Sequence, residues 1–236
     1  MSETSQRGAD RTARILDAAA DLFAHYGYDK TTMDDIARAA HVSKGAIYLH
    51  FRSKDDLFDA LMLRETDVLQ DTTMARLEAD GGHMTVFSLY RHSIQAALER
   101  PLIRAMMTSN RRVLGDFMER VKRQPQYEDA MAFRGEFVRQ LQQAALIRAD
   151  ADPEVLAAIM IAVRYGYLSL PDLVERPPAP EVTGAMIAEM LQRGFGTEFG
   201  DSEAGCAVMR QLFERGRDFL QAMREQRSRS AAPPAG

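Results

Sequence analysis

The chain has 236 residues and a formal charge of −4, with 46% hydrophobic and 27% charged residues; this is ordinary globular composition, long enough to bury a core, and it excludes wholesale disorder. A single cysteine, Cys206, excludes an internal disulfide and a thiolate metal cage within one chain. The longest unbroken apolar run, Val155 to Val163, covers nine residues against the roughly 18 of a membrane-spanning helix, and the opening MSETSQRGAD lacks a secretory pattern, so the sequence predicts a cytoplasmic protein with no membrane partner.

Apolar spacings of three and four recur along nearly the whole chain, and hairpin turn signals are missing, which predicts an all-α fold. Residues 1–9 read as a disordered arm. A first helix is expected over 10–26, with Ile15, Ala19, Leu22 and Tyr26 on one stripe and Gly27 placed to end it. Thr32 with Asp35 and Ser53 with Asp56 fit the capping box, and Ser43 is a third cap. These caps start helices over 33–40, 44–50 and 54–78, so residues 10–60 form a three-helix head. Gly81-Gly82 marks a break. Residues 61–226 read as a ligand-binding and dimerisation body with helices near 84–99, 101–122, 127–147, 153–174, 181–193 and 203–226. Pro101, Pro125, Pro153 and the Pro177-Pro178-Ala179-Pro180 cluster lie at or before helix starts, where a missing amide hydrogen does no harm. Residues 227–236 read as a disordered tail.

The overall negative charge hides a local pattern. Residues 1–60 hold eight Lys or Arg against ten Asp or Glu, yet Ile36 to Lys54 carries Arg38, Lys44, Arg52 and Lys54 with no acid. Taken alone, four basic residues read as a solvated helix surface. Their setting changes that reading, because TTMDDIARAAHVSKGAIYLHF has the pattern of a helix-turn-helix: Ala37 is small where two short helices cross, and Ile36, Val42 and Ile47 close the corner. The turn usually takes glycine because its backbone is left-handed; here it is His41, a residue type enriched at positive φ. Such a motif lays its second helix in the major groove, so Ser43, Lys44, Gly45, Ala46 and Tyr48 are expected to face DNA. Lys44 is the side chain suited to reading guanine, and half-sites are expected about 34–36 Å apart, or a multiple of that, on a near-palindromic operator.

Residues Arg14 to Leu61, above all TTMDDIARAAHVSKGAIYLHFRSKDDLFDAL, resemble the DNA-binding head of the tetracycline-repressor (TetR) family of bacterial regulators. The resemblance implies an all-helical homodimer whose variable body binds a small effector and so releases double-stranded DNA. It implies a phosphate contact for Thr32, base contacts for Lys44, Gly45 and Ala46, and backbone contacts for Tyr48, His50 and Lys54. His41 departs from the family's common glycine.

In the body, Phe87, Tyr90, Ile94, Met106, Met107, Phe133, Phe137, Tyr165 and Tyr167 are candidates to line an effector pocket, with Arg104, Asn110 and Arg164 as polar anchors. Each also reads as plain core or as a surface ion pair. A pocket lined in this way suits a hydrophobic or aromatic molecule, with flexible Met lining. The helix bearing VLAAIMIAV is apolar almost all round and must bury more than one face, which together with Val182 to Leu191 predicts a four-helix dimer interface. The last helix carries a stripe of Met209, Leu212, Phe213, Phe219, Leu220 and Met223, whose partner, in the same chain or the other subunit, is left open. No catalytic constellation, metal site or cofactor motif is expected. The reading is a ligand-released DNA-binding regulator; the alternatives are a DNA-binding protein of the same fold without an effector, and an enzyme with an appended helix-turn-helix.

Overall fold

The computed structural model describes residues 3–80, 84–125, 127–198 and 200–230. Among them the structure is helical apart from one isolated bridge between Ile147 and Gly196. The head holds α1 (Glu3–Tyr26), α2 (Met33–Ala39), α3 (Lys44–Tyr48) and the start of α4 (Lys54–Ala79). The body adds α5 (Val86–Leu98), α6 (Pro101–Met107), α7 (Arg111–Leu114), α8 (Phe117–Lys122), α9 (Tyr127–Gln143), α10 (Pro153–Leu173), α11 (Pro180–Phe195) and α12 (Ser202–Ser230). The Gly81-Gly82 break and the terminal AAPPAG lie outside the described residues.

Three of the expected boundaries move. Helix α1 begins at Glu3 rather than near residue 10, and Thr12 Oγ1 donates to the Gly8 carbonyl within it. Helix α12 runs to Ser230, past the expected end at 226. The single helix expected over 101–122 is three short ones. Ser109 and Gly115 both take positive φ there, and the Asn110 side chain accepts from the Val113 amide to start α7; a left-handed residue ends a right-handed helix, and the cap begins the next.

The core runs continuously from head to body. In the head it is built from Ile15, Leu16, Ala19 and Phe23 of α1, Ile36 and Ala37 of α2, Ile47 of α3, and Leu57, Phe58 and Leu61 of α4, all buried. Phe23 takes the place expected for Tyr26, which is 52% exposed. Helix α4 passes from head into body and packs on α5, α6 and α12, while α11 lies along α5 and α10 along α9. The stripe of α12 is buried in its own chain, with Met209, Phe213, Leu220 and Met223 inside and Leu212 and Phe219 packed against the core.

Helix α10 is more apolar than its nine-residue run suggested: over 21 residues it is long and apolar enough, by length and composition, to cross a membrane. Its inner face, including Leu156, Ala157, Tyr167 and Leu168, is buried in the body. Its outer face leaves Val155, Ile159, Tyr165 and Leu173 exposed, and α11 beside it in sequence leaves Val182, Met186 and Met190 exposed.

Candidate nucleic-acid interface and its attachment to the body

The recognition surface is set by three hydroxyl caps. Thr32 Oγ1 accepts from the Asp35 amide at 3.2 Å while Asp35 Oδ2 accepts from the Thr32 amide at 3.1 Å and from the Thr32 hydroxyl at 2.6 Å. These bonds hold the Asp35 carboxyl below its ordinary range. Ser43 Oγ accepts from Ala46 N at 3.2 Å to start α3. Ser53 Oγ accepts from Asp56 N, and the Asp56 carboxylate reaches the Arg52 amide, one residue before the cap. Between α2 and α3 the chain reverses at His41 with φ 54°. This is the left-handed turn that the motif requires, made by a residue other than glycine.

Helix α3 presents its outer side to solvent: Ser43, Lys44 and Gly45 are exposed, Ala46 is half-buried, and Ile47 is buried beneath them. Tyr48 is 47% exposed, so it is not core, and Leu49, which the sequence did not single out, is 82% exposed. Lys44 Nζ lies 3.0 Å from Asp34 Oδ2 on α2, a bond that raises the ammonium's pKa. To meet a phosphate or a base, this side chain would have to leave a carboxylate of its own head. His50 is half-buried, with Nδ1 3.2 Å from Thr12 Oγ1 on α1. Lys54 is turned inward: Nζ donates to the carbonyls of Tyr28 at 2.9 Å and Thr31 at 3.1 Å and sits 4.2 Å above the Tyr28 ring. In this state it ties α4 to the turn after α1 rather than standing free for a phosphate. Beside α3, a groove of about 850 Å³ is bordered by Tyr48, His50 and Arg52 on one side and Gln221, Arg224 and Arg229 of α12 on the other.

Sequence reading missed the joint that carries the head. Asp59 of α4 is fully buried and lies 3.5 Å from Arg120 of α8 and 3.3 Å from Arg227 of α12. Asp55, one turn earlier, meets the same two arginines at 3.2 and 3.0 Å and accepts from the Tyr28 hydroxyl at 2.5 Å. Burial raises the Asp59 pKa, and the arginines only partly counter it. Burial also works against Asp55, but there the Tyr28 hydroxyl and the two arginines win and its carboxyl is held below its ordinary range. Arg224 of α12 adds a bond to Asp56 at 2.9 Å. Around these charges Phe23 stacks on Tyr28, both meet Phe58 edge-on, and Phe58 in turn meets Phe117 of α8 edge-on, at centroid separations of 4.9 to 5.5 Å. The turn at Gly27, φ 86°, lies against the Arg112 backbone, and Tyr28 N donates to the Val113 carbonyl at 3.1 Å. Helices α7, α8 and α12 thus grip the head at the end of α1 and the start of α4.

The proposed effector residues divide. Tyr90 and Ile94 of α5 are buried, and Phe87, Met106, Met107 and Phe137 are packed against the core. Asn110 is the cap of α7, and Arg104 donates to the Leu168 carbonyl at 2.9 Å and pairs with Asp172 at 2.7 Å. Tyr167 donates to the carbonyl of Pro180, tying α10 to α11. Tyr165 points away from the interior, 49% exposed. Arg164 makes no such surface pair, and its Nε is buried. The side chain of Phe133 lies outside the described residues. Among the described residues no group of three or more His, Cys, Asp or Glu side chains is placed to hold a metal.

Residues 15–61 match the sequence model of the bacterial regulatory proteins of the tetR family. The A-factor receptor protein of Streptomyces griseus is 31% identical over 151 residues, covering 63% of this chain and 50% of that protein. The head, residues 15–61, is that of a TetR-family regulator. The chain spans half or less of the length of this curated relative and of two further bacterial HTH-type regulators it matches. Among solved structures, a transcriptional regulator of Saccharomonospora viridis in complex with choline superposes on 80% of this chain and all of its own with a TM-score of 0.59 at 20% identity. SmeT, the repressor of the Stenotrophomonas maltophilia multidrug efflux pump SmeDEF, does so over 80% of this chain and 91% of its own, with a TM-score of 0.52 at 22% identity. At these identities the likeness shows that the TetR fold extends through the body, and the fold alone.

Proposed function

We propose that this chain, with its TetR-family head, is a dimeric transcriptional repressor that binds a near-palindromic operator in the cytoplasm and leaves it when the body takes up a small molecule. The observation that carries the reading is the joint: a solvent-facing α3 sits on a head bound to the body by two carboxylates, one of them fully buried, and two arginines, so a rearrangement of α8 or α12 moves the head. An effector that fits better when the heads are splayed shifts the population away from the DNA-competent state, and coupling of about 1–3 kcal/mol between the two sites lowers operator affinity roughly 5- to 150-fold. The exposed apolar faces of α10 and α11 supply the dimer contact. Ser43, Lys44, Gly45, Ala46 and Tyr48 enter the major groove, with Thr32 and His50 at its edge. The names of the relatives support an effector, one a receptor and one solved with choline, and that of SmeT supports repression. Selection of duplexes from a random pool tests the first half, and release of the selected duplex by small molecules tests the second.

One observation favours the effector-free alternative. Three grooves, of about 340, 420 and 850 Å³, lie on the head or between the head and helices α4 and α12, away from the candidate effector residues. A screen in which no small molecule stabilises the dimer, while operator binding is intact, selects that alternative.

A further inference from the structure

Helix α12 runs back along α4 to the head, and its ion pairs mark the path: Arg217 meets Asp67 at 3.7 Å, Arg224 meets Asp56 at 2.9 Å and Arg227 meets Asp55 at 3.0 Å. Its 29 residues, about 43 Å of helix, lead from the end of α9, where the Ala144 carbonyl accepts from the Asp201 amide, to the flank of α3. The last turns, REQRSR over 224–229, hold three arginines against one acid. Arg224 and Arg227 are spent on carboxylates of α4. Arg229 is held differently: its side chain is 82% exposed and meets Glu225, one turn back, at 3.4 Å. An exposed pair of this kind contributes little and is readily exchanged for another anion. Arg229 and Gln221 border the 850 Å³ groove whose opposite wall carries Tyr48, His50 and Arg52. The two carboxylates that line this groove are already engaged, Asp56 by Arg224 and the Arg52 amide, Glu225 by the Gln221 amide and Arg229. A cation in a last turn also steadies the helix dipole, but that need is met anywhere round the turn; this one falls on the side that faces the head.

We infer that Arg229 binds a phosphate of the DNA duplex, so that the end of α12, an element of the body, forms a second wall of the backbone contact made by the head. A duplex whose major groove takes α3 runs a phosphate strand past Tyr48 and His50, which line the facing wall of the same cleft. The Arg229 guanidinium offers its fork of N–H donors to phosphate oxygens and trades one solvated carboxylate for a backbone dense in negative charge. The inference rests on the DNA reading of the head and extends that interface to a residue 168 positions beyond the matched segment.

The test measures binding of the full-length protein to a duplex it selects from a random pool, across a salt series, for wild type, Arg229→Gln and Glu225→Gln. Arg139→Gln on α9, near the start of α12, is the control of equal charge change. Arg229→Gln is expected to weaken binding roughly 5- to 30-fold at low salt and to flatten the log–log salt dependence by about 2, one phosphate in each subunit of a dimer. A phosphate carries no sequence information, so the loss is the same on single-base variants of the duplex. Glu225→Gln, which releases Arg229, tightens binding, and Arg139→Gln stays close to wild type. These are exposed side chains, so melting temperatures should agree within about 2 °C, and a loss of affinity is then not a loss of fold. A salt dependence unchanged in Arg229→Gln, an equal loss from Arg139→Gln, or weaker binding by Glu225→Gln overturns the contact, while specific binding by the wild type keeps the DNA reading. A wild type that selects no duplex contradicts both.

Discussion

Lys44 shows how one side chain can serve two states. Its ammonium is bonded to Asp34, which sets a local competitor against every phosphate or base it approaches. Asp34→Asn is therefore expected to tighten DNA binding at low salt, and Lys44→Ala to relax sequence preference by about 1–3 kcal/mol at one base pair, the scale of a side-chain contact to guanine. Binding titrations on a selected duplex and its single-base variants check both; sequence preference unchanged in Lys44→Ala removes Lys44 from direct readout. Backbone geometry gives a second pair of expectations. At Gly27, φ is 86° and a Cβ would collide with the Arg112 carbonyl oxygen, so Gly27→Ala should lose roughly 2 kcal/mol or more in urea unfolding, of which about 1–2 is the left-handed conformation itself. His41 holds a left-handed turn in open solvent, and His41→Gly should gain up to about 1 kcal/mol, as the strain relieved exceeds the extra freedom of the unfolded chain.

At the scale of elements, the joint between head and body carries the sharpest energetic claim. Asp59 is buried against Arg120 and Arg227, so replacing both arginines with Met leaves an uncompensated charge and should cost about 3–5 kcal/mol, whereas adding Asp59→Asn to that double variant should restore much of it. Urea unfolding of the three proteins gives the answer, and a triple variant no more stable than the double contradicts an ionic clamp. Asp55 gives the pH dependence. Its folded pKa lies below the unfolded value, so its stabilising contribution is complete above about pH 4, the ordinary carboxylate range, and is lost as pH falls through the lowered folded value. The gap in stability between wild type and Asp55→Asn should therefore hold steady from pH 5 to 8 and close in acid, as read by unfolding at a series of pH values. Neither feature was legible in the sequence, and the reason is distance along the chain: Arg120 and Asp59 are 61 residues apart, and Arg224 and Asp56 are 168 apart. No spacing rule records such pairs. The caps at Thr32, Ser43 and Ser53 were legible because hydroxyl and amide are three residues apart, and the turn at His41 because its neighbours close a corner of fixed size. The break of 101–122 into three helices had signals, Asn110 and Gly115, but the apolar period runs through both and masks them.

For the whole molecule, α10 and α11 leave an apolar face exposed among the described residues. Val155, Ile159, Met186 and Met190 are exposed there, and a charge among them is expected to break a dimer that buries them. Met186→Glu should sediment as a monomer at micromolar concentration and lose operator affinity, because two heads no longer reach two half-sites together. A dimer of unchanged stability in that variant moves the interface elsewhere. The all-helical architecture could be read from periodicity, whereas the packing of α12 along its own chain could not, since an amphipathic stripe does not say which surface covers it. As proposed, α3 of each subunit enters the major groove of a specific duplex. The most direct measurement is the affinity of the intact protein for a duplex it selects from a random pool, compared with a scrambled duplex across a salt series. Specific insertion of α3 gives a preference of about 10³-fold or more and an affinity that falls linearly in log–log form with salt; equal affinity for both duplexes, unmoved by salt, rules it out.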